Sequence, residues 1–217
     1  MIRFEKLTKS FEVNGRRKIV IDNLSLTLET GRSLALLGRN GAGKSTLMSI
    51  IAGNMRPDHG QVICDGTMSW PIGQAGAVHP QMTGAQNVRF IARVYGIETE
   101  ELIDFVQDFA QIGEHFHMPV RTYSAGMRAR LTFGLSLGIK FDTYLIDEVT
   151  GAGDAAFRAR SVALFHERMK SSDAIMVNHN LHELKEFCDA ALILENGKLT
   201  FFEDLDEAID RHKRNLS

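Results

Sequence analysis

The segment "GRNGAGKS" at residues 38–45 contains the residue types that bind phosphate groups. It fits the pattern G-x-x-x-x-G-K-[ST], and it lies between the apolar segment "RSLALLG" and a helical pattern over Lys44–Ala52. Glycines allow tight turns whose N–H groups surround phosphate oxygens, the lysine adds a positive charge, and the hydroxyl can coordinate Mg²⁺. This context predicts a nucleoside triphosphate site rather than an ordinary glycine turn. The residues expected to hold the nucleotide are Gly38, Arg39, Asn40, Gly41, Ala42, Gly43, Lys44, Ser45 and Thr46.

Two adjacent carboxylates, Asp147 and Glu148, end the apolar stretch "TYLIDE". Side chains alternate along a strand, so the two acids point in different directions. One of them can belong to a Mg²⁺ shell while the other polarises a water, which is the division that phosphoryl transfer requires. The alternative interpretation is a helix cap next to a solvated acid.

A second candidate anion site lies in "RTYSAGMRARL" at residues 121–131. Ser124 can cap a helix that starts there, and Gly126 allows a ligand to approach the backbone. An ordinary capped helix would have the same pattern. The presence of two phosphate-binding patterns in one chain therefore needs an explanation.

The elements around these motifs predict an α/β fold. Alternating apolar and polar residues in "MIRFEKLTKSFEV" and "IVIDNLSLTLE" indicate antiparallel strands. Apolar residues recur at helical spacing over residues 86–110 and 124–137, which predicts a helical subdomain at about 78–140. The strands "TYLIDE" and "AIMVNHN" flank a helical pattern at 155–169, and this order is typical of a parallel sheet. "AALILENGKLTFFE" predicts a hairpin with an Asn-Gly turn, followed by a helix.

Composition and charge restrict the possible partners. The 217 residues have a formal net charge of -2, and the basic cluster "RHKR" lies only at 211–214, which argues against a nucleic-acid partner. No stretch approaches the roughly 20 apolar residues of a membrane helix, so we expect no direct membrane insertion. Cys64 and Cys188 lack metal-ligand spacing, and we expect both to be buried free thiols in a reducing cytoplasm.

With "GRNGAGKST", "YSAGM" and "YLIDE" in this order, the chain resembles the ATP-binding cassette (ABC) ATPases over essentially all of residues 1–217. The resemblance implies a single domain with a P-loop NTPase core and a mainly parallel sheet, an antiparallel β subdomain and an inserted α-helical subdomain. It also implies ATP hydrolysis with Mg²⁺. The family signature is LSGGQ, of which this chain keeps Ser124 and Gly126 but has Ala125 and Met127 at the other positions. In the family this motif meets the γ-phosphate held by the opposite subunit of a homodimer, so Ser124, Ala125 and Gly126 would serve the partner's nucleotide.

Further roles follow from the same resemblance, one position at a time. Phe11 matches the aromatic residue that stacks on adenine, although an isolated aromatic more often belongs to a core. Gln74 matches the glutamine that senses Mg²⁺ and water, with a surface loop as the alternative. His179 in "VNHN" matches the histidine that reaches the γ-phosphate, and Asp154 in "TGAGD" matches the loop that links the two subunits. The implied catalytic residues are Glu148, His179 and Gln74, and the implied metal ligands are Ser45, Asp147 and Gln74.

The closest likeness is to the ATPase subunits of capsular polysaccharide exporters, through "TMSWPIGQAGAVHPQMTGAQNVRF" and "DEVTGAGDAAF". It implies a peripheral subunit at the cytoplasmic face of the inner membrane, bound to an integral membrane permease. Arg89 and Arg93 share one helix face at i, i+4 spacing, and we expect this face to dock on the permease. The alternatives are the ATPase of another exporter (lipid, drug or teichoic acid), a soluble kinase and a regulatory ATPase.

Overall fold

The computed structural model describes residues 1–29, 31–72, 78–147 and 154–216. Within them the chain forms two compact units, of which the first comprises Met1–Pro71, Phe141–Glu148 and Ser172–Ser217 and the second comprises Ile72–Lys140 and Val149–Ser171. In chain order the elements are β1 (Ile2–Val13), β2 (Arg16–Leu28), β3 (Leu34–Leu37), α1 (Lys44–Ile51), β4 (His59–Cys64), α2 (Gly84–Tyr95), α3 (Thr99–Ala110), α4 (Ala125–Gly138), β5 (Thr143–Asp147), α5 (Ala155–Met169), β6 (Asp173–Val177), α6 (Leu181–Phe187), β7 (Ala190–Glu195), β8 (Lys198–Phe202) and α7 (Leu205–Leu216).

The first unit contains an antiparallel sheet with the strand order β2-β1-β4. The strands β1 and β2 form a hairpin whose register ends at the pair Val13↔Arg16. Asn14 and Gly15 make its turn with φ values of 51° and 72°, which suits the right-handed twist of the paired strands. Phe4 and Leu7 of β1 are buried in the core of this unit. The predicted antiparallel pair is therefore confirmed, whereas β4 is a third strand that the sequence pattern did not reveal.

The second sheet of the first unit has the order β5-β6-β3-β7-β8 among the described strands. β3 pairs in parallel with β6 and β7, β5 pairs in parallel with β6, and β8 is antiparallel to β7. All four residues of β3 are buried, as expected of a central parallel strand. The β7–β8 turn uses Asn196 and Gly197 at φ values of 48° and 77°, as the Asn-Gly pair predicts. The mixed α/β fold class is thus confirmed.

The second unit consists mainly of helices, and glycines determine how one of them ends and how another packs. The helical pattern over 86–110 is divided in two, because Gly96 takes a left-handed conformation (φ 65°) and ends α2. Gly138 lets α4 approach α3 closely, since a Cβ atom there would lie 2.6 Å from the Leu102 side chain. Short 3-10 turns at Gly113–His117 and Val120–Thr122 connect α3 to α4.

Both cysteines are free, but they differ in burial. Cys188 is buried, and burial raises the pKa of its thiol to about 12. Cys64 is only partly buried, so the expectation of full burial was wrong for this residue. The reason is its position in β4, which is an edge strand of the antiparallel sheet. Neither thiol is therefore poised to ionise at neutral pH.

No helix in the described part of the chain has the length and apolar character needed to cross a membrane.

Candidate functional site

The phosphate-loop pattern at 38–45 lies between β3 and α1 and has the backbone geometry of a tight cradle. A Cβ atom on Gly38 would lie 2.5 Å from the backbone oxygen of Leu194, so only glycine fits there. Gly43 is the N-terminal cap of α1 at φ 109°, and a Cβ atom would lie 3.1 Å from the Val20 side chain. The first turn of α1 has N–H groups without intrahelical acceptors, and these are suited to anions. The residues present therefore fit a nucleotide phosphate group.

The ammonium group of Lys44 is folded into this loop. Its Nζ donates hydrogen bonds to the backbone oxygen of Gly38 at 2.7 Å and to that of Arg39 at 3.3 Å. These bonds hold a positive charge at the base of the cradle. A cation held by neutral carbonyl groups keeps its attraction for phosphate oxygens.

The predicted metal ligands are only partly described. Ser45 is exposed in the first turn of α1, and Asp147 is the half-buried last residue of β5. β5 and β3 run parallel, with β6 between them, so Asp147 and the phosphate loop follow carboxyl ends at the same edge of the sheet. A hydroxyl and a carboxylate are the oxygen ligands that Mg²⁺ prefers. Gln74 and Glu148, the other predicted metal and catalytic residues, lie outside the described residues.

His179 follows β6 at the same edge and lies exposed in a turn that is held from both sides. The Glu183 carboxylate accepts one hydrogen bond from the Asn178 amide at 2.6 Å and another from the Asn180 amide at 3.0 Å. The backbone N–H of Asn180 also donates to the Asn178 side chain at 2.8 Å. The sequence analysis missed Glu183, although its spacing from "VNHN" places it in the first turn of a helix. These bonds fix the backbone on both sides of the histidine.

Phe11 lies near the end of β1 with its side chain partly exposed, at 37% for the residue. The Lys9 ammonium lies 5.4 Å from the ring centroid and is bonded to Asp58 at 2.9 Å. Asp58 also accepts bonds from the backbone N–H and the hydroxyl of Ser10 at 2.8 and 2.7 Å. The hydrogen bond from Lys9, followed by those from Ser10, lowers the pKa of Asp58 to about 2. Phe11 is therefore a supported, accessible ring rather than a core residue.

The signature segment begins α4 in the second unit. The Ser124 side chain caps this helix by accepting a bond from the Met127 N–H at 3.2 Å, which confirms the predicted cap. Ser124 and Ala125 are exposed. Among the described residues, a Cβ atom on Gly126 would meet nothing closer than the Ser124 oxygen at 3.9 Å, so none of them requires glycine there. This feature is compatible with close approach by a ligand from outside the chain.

Asp154 lies at the N-terminus of α5 in the same unit. Its side chain accepts a bond from the Phe157 N–H at 2.9 Å and pairs with the Arg130 guanidinium of α4 at 2.7 Å. The Phe157 bond, and then the charge of Arg130, hold the pKa of Asp154 below its usual value. Arg130 thereby joins the signature helix to the beginning of α5.

The structure also places C-terminal residues next to the phosphate loop, which sequence reasoning missed. The Arg39 guanidinium donates to the backbone oxygen of Asn215 at 3.5 Å, and the Asn215 amide donates to Glu195 at 2.8 Å. Burial and the nearby charge of Lys44 lower the pKa of His212. No sequence signal indicates this proximity, because α7 lies more than 150 positions after the loop.

Comparisons with known proteins agree with this geometry. Residues 21–151 match the family model described as ABC transporter. The chain is 47% identical over 216 residues to the polysialic acid transport ATP-binding protein KpsT of Escherichia coli, covering 98% of this chain and 96% of that protein. It is 38% identical to the capsule polysaccharide export ATP-binding protein CtrD of Neisseria meningitidis serogroup B, covering 97% of each.

A solved structure shares the fold at low sequence identity. It is the dimeric post-hydrolysis state of the ATP-binding cassette MJ0796 bound to ADP and Pi, with a TM-score of 0.76 at 19% identity. The match covers 94% of this chain and 99% of that one. The predicted resemblance, fold class and ATPase activity are confirmed by these comparisons.

Proposed function

Because this chain belongs to the ABC transporter family of ATP-hydrolysing cassettes, we propose that it powers the export of a capsular polysaccharide across the inner membrane. The observation that carries the proposal is its 47% identity, over nearly the whole length of both chains, to a polysaccharide transport ATP-binding protein. The phosphate loop at the end of β3 supports the same activity, because its cradle suits a nucleotide's terminal phosphates.

In this proposal the first unit binds ATP through the phosphate loop at 38–45 and through the ring of Phe11, which we call the aromatic platform. Phe11 stacks on the adenine, and backbone N–H groups of the loop hold the β- and γ-phosphates. Lys44 turns its ammonium from the loop carbonyls towards these phosphates. Ser45, Asp147 and Gln74 would hold Mg²⁺. When bound, this ion neutralises phosphate charge and orients the terminal phosphate.

Hydrolysis requires that a water be aimed at the γ-phosphate and lose a proton. Glu148 accepts that proton as the general base, since it follows Asp147 in the sequence and side chains alternate along a strand. His179 donates a hydrogen bond to the γ-phosphate, and the bonds from Asn178 and Asn180 to Glu183 fix its backbone for this task. Gln74 positions the water.

The second phosphate-binding segment serves a partner chain. In a head-to-tail homodimer, Ser124, Ala125 and Gly126 of one protomer face the γ-phosphate bound by the other. The open space around Gly126 within the described part of the chain supports this role. Asp154 forms an ion pair with Arg130 of the same helix. Through this pair it would couple the state of one nucleotide site to that of the other.

The membrane partner docks on the second unit. On α2, Phe90 and Val94 are 56% and 60% exposed and share a face at i, i+4 spacing. Arg93 is exposed beside Val94, whereas Arg89 is partly buried and pairs with Glu100 of α3 at 3.6 Å. Arg93 and its apolar neighbours thus form the docking face, and Arg89 supports it. The chain would then lie peripherally at the cytoplasmic face of the inner membrane, bound to an integral permease.

Reconstitution with an integral membrane permease tests the function. In vesicles, we expect ATP hydrolysis that requires Lys44 and ATP-dependent movement of an acidic or neutral polysaccharide. Movement of a lipid, a drug or a teichoic acid in place of the polysaccharide would retain the ATPase assignment but overturn the proposed substrate class. Transfer of phosphate to an acceptor rather than its release would contradict the transport role altogether.

A further inference from the structure

Lys18 of β2 lies between the aromatic platform and the phosphate loop. In the hairpin register it is the direct cross-strand partner of Phe11. Directly opposed residues of an antiparallel pair have Cβ atoms about 4.5–5.5 Å apart, so the two side chains leave the sheet on the same face. The Lys18 side chain is exposed, and its Nζ donates a hydrogen bond to the backbone oxygen of Gly41 at 3.1 Å.

Two ammonium groups therefore contact the loop from different directions. Lys44 bonds the oxygens of Gly38 and Arg39 at the base, whereas Lys18 bonds the oxygen of Gly41 from the hairpin. An ammonium has three donors, so bonding to Gly41 leaves Lys18 capable of donating to a ligand as well. A nucleotide with its base on Phe11 and its terminal phosphates in the loop must pass this group.

The neighbouring charges on the hairpin are arranged differently. Arg17 is on the opposite face of β2, where its Nε bonds the Ser10 hydroxyl at 3.0 Å and its cross-strand partner is Glu12. Arg16 shares the face of Lys18 but is paired with Val13 at the end of the hairpin, two residues beyond Phe11. Lys18 is therefore the basic residue of β2 that is placed at the loop.

We infer that Lys18 is a further nucleotide-binding residue, whose ammonium contacts the α-phosphate. The α-phosphate is the one nearest to the base, and Lys18 is opposite the ring on which the base stacks. This inference rests on the proposed nucleotide site, and it adds a charged contact that the phosphate-loop pattern does not contain. The contact also links the hairpin to the loop, so that the base and the phosphates are held by one connected surface.

The inference is tested by titrating the purified chain with ADP and with AMP and measuring the affinity for each. Lys18→Met keeps the apolar stem and removes the charge, and we expect it to weaken both ligands by a similar factor of about 5–10, the effect of one exposed charge-assisted bond. Lys18→Arg should recover most of the affinity. Arg16→Met is the matched control, with the same charge lost from the same face of the same strand, and should remain within about twofold of wild type.

Lysine acylation followed by mass spectrometry distinguishes direct contact from support of the hairpin. Saturating AMP should slow modification of Lys18 and leave the exposed Lys6 unaffected. Equal ADP affinity in Lys18→Met and wild type, an equal loss in Arg16→Met, or an unprotected Lys18 would each overturn the inference. If the wild-type chain bound no ADP at all, the proposed nucleotide site itself would fail. Binding by wild type with no effect of Lys18→Met would refute only the role of Lys18.

Discussion

The guanidinium of Arg130 is 2.7 Å from the carboxylate of Asp154 and also lies 4.9 Å from the centroid of the Phe157 ring. One side chain of the signature helix α4 thus contacts both the cap of α5 and the first turn behind it. Arg130 therefore forms a short, charged connection between α4 and the beginning of α5.

Two substitutions of Asp154 separate the contribution of the helix cap from that of the ion pair. Asp154→Ala removes the helix cap together with the ion pair, and we expect the midpoint of thermal unfolding to fall by about 2–4 °C. Asp154→Asn keeps an efficient cap and should cost less, because exposed ion pairs contribute little. If the pair transmits the state of one site to the other, Asp154→Asn should instead reduce cooperativity of ATP hydrolysis. Equal stability losses in the two variants would contradict the assignment of the cap.

The adjacent acids at the end of β5 should separate catalysis from metal binding. Glu148→Gln should bind MgATP nearly as well as wild type and hydrolyse it about 10²-fold more slowly or worse, because it lacks a general base. Asp147→Asn should raise the Mg²⁺ concentration needed for half-maximal hydrolysis. Nucleotide titration and phosphate release over a range of Mg²⁺ concentrations distinguish the two. Fast turnover by Glu148→Gln would show that another residue is the base.

Mixed dimers should show whether Gly126 serves the partner's nucleotide. Lys44→Ala disables the loop, and Gly126→Asp places a carboxylate against an incoming phosphate, so each homodimer has two damaged sites. The aspartate has room at 126, since the nearest described atom to a Cβ there is 3.9 Å away. A mixed dimer collects both lesions in one site and leaves the other intact. We expect phosphate release by tagged, co-purified heterodimers to exceed that of either parent.

The mixed-dimer experiment distinguishes action between chains from action within one chain. If the signature served the nucleotide of its own chain, every site of the mixed dimer would contain one lesion, and mixing would restore nothing. ATP well above its apparent affinity should be used, because closure of the dimer can require both sites to be filled. Heterodimers that stay inactive at saturating ATP would refute the assignment between chains.

The exposed face of α2 should determine assembly with the permease. Phe90→Ser with Arg93→Glu should weaken co-purification of the membrane partner while sparing the ATPase activity of the isolated chain, since neither residue is placed in the nucleotide site. Val162→Ser is the control, because Val162 is 46% exposed on α5 of the same unit. Unchanged co-purification of the double variant would show that the docking face lies elsewhere.

Acid should weaken the support beneath Phe11. The pKa of Asp58 is about 2 in the folded chain and 3.8 ordinarily, so this carboxylate stabilises the fold above about pH 4. That contribution is lost as the pH falls from about 4 towards 2, because the unfolded state takes up a proton in this range while the folded state stays ionised. Asp58→Asn should be less stable than wild type at pH 7, and the difference should shrink on acidification. Chemical unfolding at several pH values measures it, and a constant difference would contradict the role of Asp58.

Features that depend on local spacing could be predicted from the sequence. The phosphate-loop pattern, the Asn196–Gly197 turn, the Ser124 cap and the α/β order follow from residue types and short periodicities, because backbone conformation and capping are decided within a few residues. The resemblance to the ABC ATPases depended on the order of three such motifs. The division of the 86–110 pattern at Gly96 shows the limit of periodicity, since one left-handed residue ends a helix whose apolar spacing continues.

Contacts between residues that are distant in the sequence arise from the tertiary fold. Nothing in the spacing of Arg130 and Asp154, of Lys18 and Gly41 or of Arg39 and Asn215 indicates contact, because each pair is joined by the packing of separate elements. Strand order has the same origin: β3, β5 and β6 bring Asp147 and His179 to the edge occupied by the phosphate loop through long-range pairing. Residue types in the sequence thus identify the reacting groups. The side chains that support these groups become visible only in the folded chain, because support requires proximity and leaves no fixed spacing in the sequence.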